Sequence, residues 1–140
     1  MGRIMAIDYG LRRIGIAMTD IMHIVAAPFD TIYSAGNTKK DAEKIAEIAK
    51  ENDVSEIVVG VPFNMDGTEG KMAETVRQFI EEIKKLSAAQ VFEMDERLTT
   101  VQAERMLIEE GNISREKRKG LKDKLAASFI LQIYLDMKGF

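Results

Sequence analysis

Arg3-Ile4-Met5-Ala6-Ile7-Asp8-Tyr9-Gly10 is a short apolar run that ends in a carboxylate and then a glycine. Strand alternation puts Ile4, Ala6 and Asp8 on one face and Met5 and Ile7 on the other. Both faces are then apolar, so the strand belongs inside a sheet covered on both sides. A carboxylate at its end is costly to bury unless something cationic meets it or it bonds the turn at Gly10. Asp8 is therefore the first candidate site residue, and acids elsewhere in the chain decide its meaning.

Around this strand the pattern runs in a definite order. Arg13 to Thr19 forms a second strand and a hairpin with the first, with Gly15 marking a bulge or a close approach. Ala27 to Ile32 is a third extended piece, and Pro28 suits a strand start or a sheet edge because it has no N–H to donate. Ala42, Ile45, Ala46 and Ala49 then recur at helical spacing, with Asn37 or Thr38 as cap and an end near Asn52. Ser55 to Val61 is a β-branched buried strand, and its arrival after a helix implies a crossover and parallel pairing. Phe63 to Gly70 is a loop, and Met72, Val76, Phe79, Ile80 and Ile83 mark a second helix.

Val91 to Asp95 is the fifth strand. Thr99 with Gln102 has capping-box spacing for a third helix ending at Gly111, and a last helix spans about Lys122 to Met137. The order β-β-β-α-β-α-β-α-α predicts an α/β fold: a five-stranded mixed sheet, three antiparallel strands followed by parallel ones, flanked by helices. At 140 residues the length suits one domain, 1–140, with a substantial core.

The chain has no cysteine, which removes disulfides, thiolate nucleophiles and zinc–thiolate sites. A cytoplasmic protein is the expectation. The N-terminal apolar run is too short for a signal-peptide core, and no stretch reaches the length of a membrane span. The net charge of −3 argues against a surface that is basic all over. Arg115 to Lys124, however, concentrates Arg115, Lys117, Arg118, Lys119, Lys122 and Lys124 against only Glu116 and Asp123.

Three further acids join Asp8. In the last helix, Ala126, Phe129, Ile130, Ile133 and Met137 form an apolar stripe, and Asp123, seven positions before Ile130, lies within about 20° of it. Asp123 also falls in that helix's first turn, where the dipole favours a negative charge. Asp95 and Glu96 close the fifth strand. Adjacent strand residues face opposite ways, and the longer reach favours Glu96 as the ligand, with Asp95 as a further ligand or a supporting residue. Oxygen donors without imidazole or thiolate suit Mg²⁺ or Mn²⁺. His23, the only histidine, is distant in sequence from every one of these acids and takes a structural or solvated role.

Four motifs resemble the YqgF/RuvX family: Asp8-Tyr9-Gly10-Leu11-Arg12-Arg13-Ile14-Gly15, Gly60 to Thr68, Asp95-Glu96-Arg97-Leu98-Thr99-Thr100 and Lys122-Asp123-Lys124-Leu125-Ala126-Ala127. The resemblance covers essentially the whole chain. It implies a ribonuclease H-like fold and a metal-dependent nuclease, with the catalytic and metal-binding acids falling on Asp8, Glu96 and Asp123. It further implies either trimming of the 5′ end of precursor 16S rRNA, on ribosomal particles, or resolution of four-way DNA junctions. Two coordinated cuts in a junction call for a homodimer, whereas a monomer can trim an end.

Nucleic acid is thus the expected partner, and precursor rRNA is favoured, because one compact basic strip suits a single strand better than four duplex arms. Lys117, Arg118, Lys119 and Lys122 are candidate phosphate contacts, as are Arg12, Arg13 and Arg97. Phe63 and Asn64 could meet an unpaired base, although Phe63 also suits an ordinary core position. Two other readings fit parts of the chain. A phosphate-binding hairpin of the ATPase and sugar-kinase type would need a second domain for which no residues remain, and a non-catalytic assembly factor would have no need of all three acids.

Overall fold

The computed structural model describes residues 2–64, 66–97 and 115–138, with the side chains of 115–124 outside the description. Five strands, β1 (Arg3–Tyr9), β2 (Arg13–Thr19), β3 (Ala26–Tyr33), β4 (Val54–Val61) and β5 (Gln90–Asp95), form one sheet in the order β3-β2-β1-β4-β5. β2 is antiparallel to both β1 and β3, and β4 is parallel to β1 and β5. Among the described residues three helices accompany it: α1 (Thr38–Glu51), α2 (Lys71–Leu86) and α3 (Arg115–Lys138). The mixed sheet expected from the pattern is the sheet observed.

β1 is the centre of the sheet, and its alternation divides the core. Met5, Ile7 and Tyr9 join Ile14, Ile16, Ile57 and Val59 under the buried faces of α1 and α2. Ile4 and Ala6 join Ala17 and Val58 under Ala127, Ile130, Leu131, Tyr134 and Leu135 of α3. Ile4, Met5, Ala6 and Ile7 are all fully buried, as expected of a strand with helices on both sides. β3 is an edge strand, which accommodates Pro28, and the pairing with β2 slips between Ile16 and Ala17 so that Phe29 is the extra residue.

Two expectations change in α3. The helix begins at Arg115, seven residues before the sequence suggested, so Asp123 is its ninth residue and the helix dipole no longer accounts for it. The basic run from Arg115 is likewise helical backbone rather than loop. The apolar stripe is also rotated: Ala126 and Ile130 are buried as expected, but they are joined by Ala127, Leu131, Tyr134 and Leu135, while Phe129 and Ile133 are only partly buried and Met137 is 77% exposed. Apolar residues surround this helix on most sides, so periodicity alone could not select the packed face. The helix expected from Thr99 to Gly111 lies outside the described residues.

A polar cluster ties β1 to the start of α1. Asp41 is 2% exposed and accepts hydrogen bonds from the Tyr9 hydroxyl (2.6 Å), the Ser34 hydroxyl (2.5 Å) and the Ala35 N–H (2.7 Å). Burial, followed by the hydrogen bond to Asp41, pushes the Tyr9 phenol well above its ordinary range. Tyr9 also stacks on Phe79, with ring centroids 4.2 Å apart. The residue after Asp8 is therefore clamped from the opposite face of the sheet. Asp41→Ala would orphan the buried Tyr9 hydroxyl and the partly buried Ser34 hydroxyl and Ala35 N–H and should cost about 2–3 kcal/mol, read as a lower urea midpoint. Tyr9→Phe, which leaves Asp41 two donors, should cost about 1 kcal/mol.

Candidate active site

Asp8, Gly60 and Glu96 meet at the carboxyl ends of β1, β4 and β5. Asp8 shares its sheet face with Ile4 and Ala6, toward α3. Its cross-strand partner on β2 is Gly15. On the other side the parallel register of Ile7 with Val59 carries on to Asp8 and Gly60. Glycines thus flank the carboxylate on both neighbouring strands.

Glu96 follows β5, and its N–H donates to the Val61 carbonyl at 3.0 Å, which extends the β4–β5 ladder by one residue. Its side chain crosses over Gly60: a Cβ there would lie 3.3 Å from Glu96 Cγ and Cδ and 2.7 Å from Ile130 Cδ1. The missing side chain is what lets the longer carboxylate reach back to Asp8. The two carboxyl groups are hydrogen-bonded to each other, and burial, then that bond and the charge of Asp8, push Glu96 far above the usual carboxylate range. Glu96 therefore keeps its proton at neutral pH and donates it to Asp8, because two charged carboxylates could not share so dry a place.

Asp95 points elsewhere. Its carboxylate takes the Arg97 guanidinium in several hydrogen bonds, the shortest 2.6 Å, and this pairing holds Asp95 below its ordinary range. Arg97 in turn lies 5.5 Å over the Phe63 ring and donates to the Asn64 carbonyl at 3.5 Å. Phe63 packs, partly buried, against the α1/α2 core with Arg97 over its face. The Asn64 side chain donates to Thr68 Oγ1 at 3.0 Å across the loop, which Arg77 braces through Glu69. Arg12 is exposed and Arg13 partly buried at the β1–β2 turn, on the other flank of Asp8. Asp123, Lys117, Arg118, Lys119 and Lys122 lie in α3, and their side chains are outside the description.

Asp8 and Glu96 are thus brought together, and Asp95 with Arg97 forms a separate pair. His23 is far away: its Nε2 is 2.6 Å from the Gly2 carbonyl at the start of β1. Among the described residues no three of His, Asp and Glu converge. Two site features escaped the reading of the sequence. Gly60 interrupts the run Ile57-Val58-Val59-Gly60-Val61, and a glycine inside such a strand signals close approach. Asp41 resembles any first-turn acid, and nothing local marks it as buried.

The chain matches the RuvX family, described as Holliday junction resolvase, over residues 2–137. A protein of Endomicrobium trichonymphae with the name "Putative pre-16S rRNA nuclease" is 67% identical over 99% of this chain and 98% of its own. One of the same name from Thermoanaerobacter pseudethanolicus is 47% identical over 96% of each chain. Among solved structures, the fowlpox virus resolvase bound to Holliday junction DNA has a TM-score of 0.57 at 15% identity and covers 99% of each chain. Thermus thermophilus RuvC on a junction has a TM-score of 0.52 at 13% identity, over 95% of this chain and 96% of that one. The architecture shared with these two is the ribonuclease H-like fold.

The shared proton sets a pH signature for the metal-free protein. An unfolded Glu96 loses its proton near its ordinary 4.5, whereas the folded one holds it. Unfolding above that pH releases a proton, so stability falls as pH rises from about 5 into the neutral range. In EDTA the thermal midpoint should drop between pH 5 and pH 8. Glu96→Gln, neutral at every pH, should flatten this dependence and melt above the parent at pH 8.

Proposed function

The chain belongs to the RuvX family, and from that premise we propose that it is a metal-dependent nuclease that hydrolyses phosphodiester bonds, with the 5′ end of precursor 16S rRNA as substrate. The observation that carries this reading is the Asp8–Glu96 pair, two carboxyl groups pressed together over Gly60 at the carboxyl end of a central strand. Such a pair is costly to hold as two anions and relaxes when a divalent cation takes the place of the shared proton. An all-oxygen donor set on rigid strands fits Mg²⁺ or Mn²⁺.

Asp8 and Glu96 would hold the ion or ions together with Asp123 from α3, while Asp95 keeps Arg97 in place. Bound there, the metal supplies Lewis-acid polarisation of the phosphate and a water of lowered pKa. The chain's own contribution is position. β1 is buried on both faces and clamped through Tyr9, so Asp8 is presented on rigid backbone, and Gly60 fixes how near Glu96 approaches. Arg12 and Arg13 on one flank and the basic run of α3 would meet the phosphates on either side of the cut. The names of the relatives support rRNA as substrate, and the family description supports a four-way DNA junction as the second reading. A cytoplasmic location is consistent with processing of rRNA, and among the described residues no helix is long and apolar enough to cross a membrane.

The deciding experiment presents a precursor rRNA 5′ fragment and a synthetic four-way junction at equal concentration with Mg²⁺ or Mn²⁺. Faster cleavage of the RNA is expected, and paired symmetric incision of the junction would reverse the choice of substrate. Asp8→Asn should lower the rate by at least about a hundredfold, on the scale of losing a transition-state contact, while the metal-free fold stays intact or gains stability. Glu96→Gln should be more damaging than Asp95→Asn, and activity of Asp8→Asn within a few-fold of the parent would sink the metal-site reading. Replacing Lys117, Arg118 and Lys119 together by alanine should weaken binding and flatten its salt dependence by up to about two units of log–log slope. An unchanged slope would put this part of α3 off the binding path.

A further inference from the structure

Tyr33 closes β3 with its side chain 84% exposed. Among the described residues its ring and hydroxyl have no hydrogen bond or ring contact. Phe92 lies against Tyr134 and Lys138 and Phe63 under Arg97; Phe29, also on β3, is 47% exposed at the bulge, away from Arg12 and Arg13. A large ring left in water adds nothing to the core, and that of Tyr33 lies beside cations. Tyr33, Leu11, Arg12, Arg13, Ser34 and Gly36 line an open depression of about 540 Å³. Leu11 is itself 71% exposed.

The sheet register places this depression relative to the carboxylates. Asp8 pairs with Gly15, Gly15 with Thr31, and Arg13 with Tyr33. Residues directly opposite in antiparallel strands share a face, so Tyr33, Arg13 and Asp8 all belong to the face toward α3. Two strand spacings sideways and two residues along the strand put the Tyr33 position roughly 12 Å from Asp8. The Ser34 N–H donates to the Arg12 carbonyl at 2.8 Å and Ser34 Oγ donates to Asp41. The floor of the depression is therefore tied to the same buried cluster that clamps Tyr9.

We propose that this depression is a nucleotide subsite on the nuclease face, in which Tyr33 stacks an unpaired base near the scissile bond and Arg12 and Arg13 meet its phosphates. The proposal rests on the nuclease reading and adds the substrate class. A base inside a duplex has both faces covered by its neighbours, whereas one splayed from a single strand offers a face to an aromatic ring. Tyrosine suits the position because it presents contact area with little conformational freedom to lose. The subsite therefore selects single-stranded nucleic acid, or a strand frayed at the cut, over continuous duplex.

The test measures binding of the full chain to a fluorescent single-stranded RNA oligomer and to a blunt duplex of the same length, in EDTA so that no cleavage intervenes. Tyr33→Ala should weaken single-strand binding about tenfold, the scale of one stacked base, and leave duplex binding within twofold of the parent. Tyr33→Phe and Tyr33→Trp should retain the parent affinity. Arg12→Ala should lower the log–log salt slope on the single strand by about 0.7, whereas Tyr33→Ala should leave the slope unchanged. Circular dichroism of each variant checks that it is folded. If the parent binds the oligomer and Tyr33→Ala binds within twofold of it, the subsite is overturned and the nuclease reading stands. Equal weakening on the duplex, or a Phe variant as weak as the Ala variant, overturns base stacking. A stacking effect on binding from a protein that cleaves neither RNA nor junction with Mg²⁺ or Mn²⁺ would instead keep the subsite and sink the nuclease reading.

Discussion

The structure depends on a carboxylate ending a strand that is buried on both faces. β1 gives up Ile4, Met5, Ala6 and Ile7 entirely to the core, and those residues commit the strand to the middle of the sheet. Asp8 is then held at a fixed height between two helical layers. β2, β4, β5 and α3 are the elements packed around that end. Glu96 comes from β5, over the one position of β4 where a side chain would stand in its way.

That arrangement places strain of a specific kind in the metal-free protein. Two carboxyl groups in contact cannot both be charged in a poorly hydrated site, so one keeps its proton. In the metal-site reading proposed above, a divalent cation would remove the conflict by replacing the proton, and metal affinity and fold stability would be linked through the same two side chains. The clamp on the opposite face works differently. Asp41 is buried but accepts from three donors, so its oxygens are satisfied and it holds Tyr9, and with it the neighbouring Asp8, in register. Two acids near one strand end thus have opposite roles because of what surrounds them.

The candidate nucleic-acid contacts differ in how far they are already engaged. Arg97 and Phe63, both plausible nucleic-acid contacts by residue type, are occupied with Asp95, the loop and the core. Arg12 and Tyr33 on the other flank are exposed.

Much of this protein was legible in its sequence. The alternation in β1, the β-branched run of β4 and the spacing of α1 and α2 depend on burial patterns that repeat every two or 3.6 residues, so element order and the mixed sheet could be read directly. The strand-end places of Asp8 and Glu96 could be read as well, whereas Asp123, read as a first-turn residue, is the ninth of α3. What the sequence left open was geometry between elements. Asp95 and Glu96 are adjacent, and only the ladder from β5 to Val61 decides which one turns toward Asp8. The face of α3 could not be chosen because apolar residues cover most of its circumference, and its start lay in a charged run with no periodicity to mark it. Asp41 looks like a surface acid until the β3–α1 connection folds over it, and Gly60 acquires its meaning only when Glu96 lies across it. Local pattern determines which segments are helix or strand; which side chains touch is set by packing between segments distant in sequence, and no period within the chain encodes that.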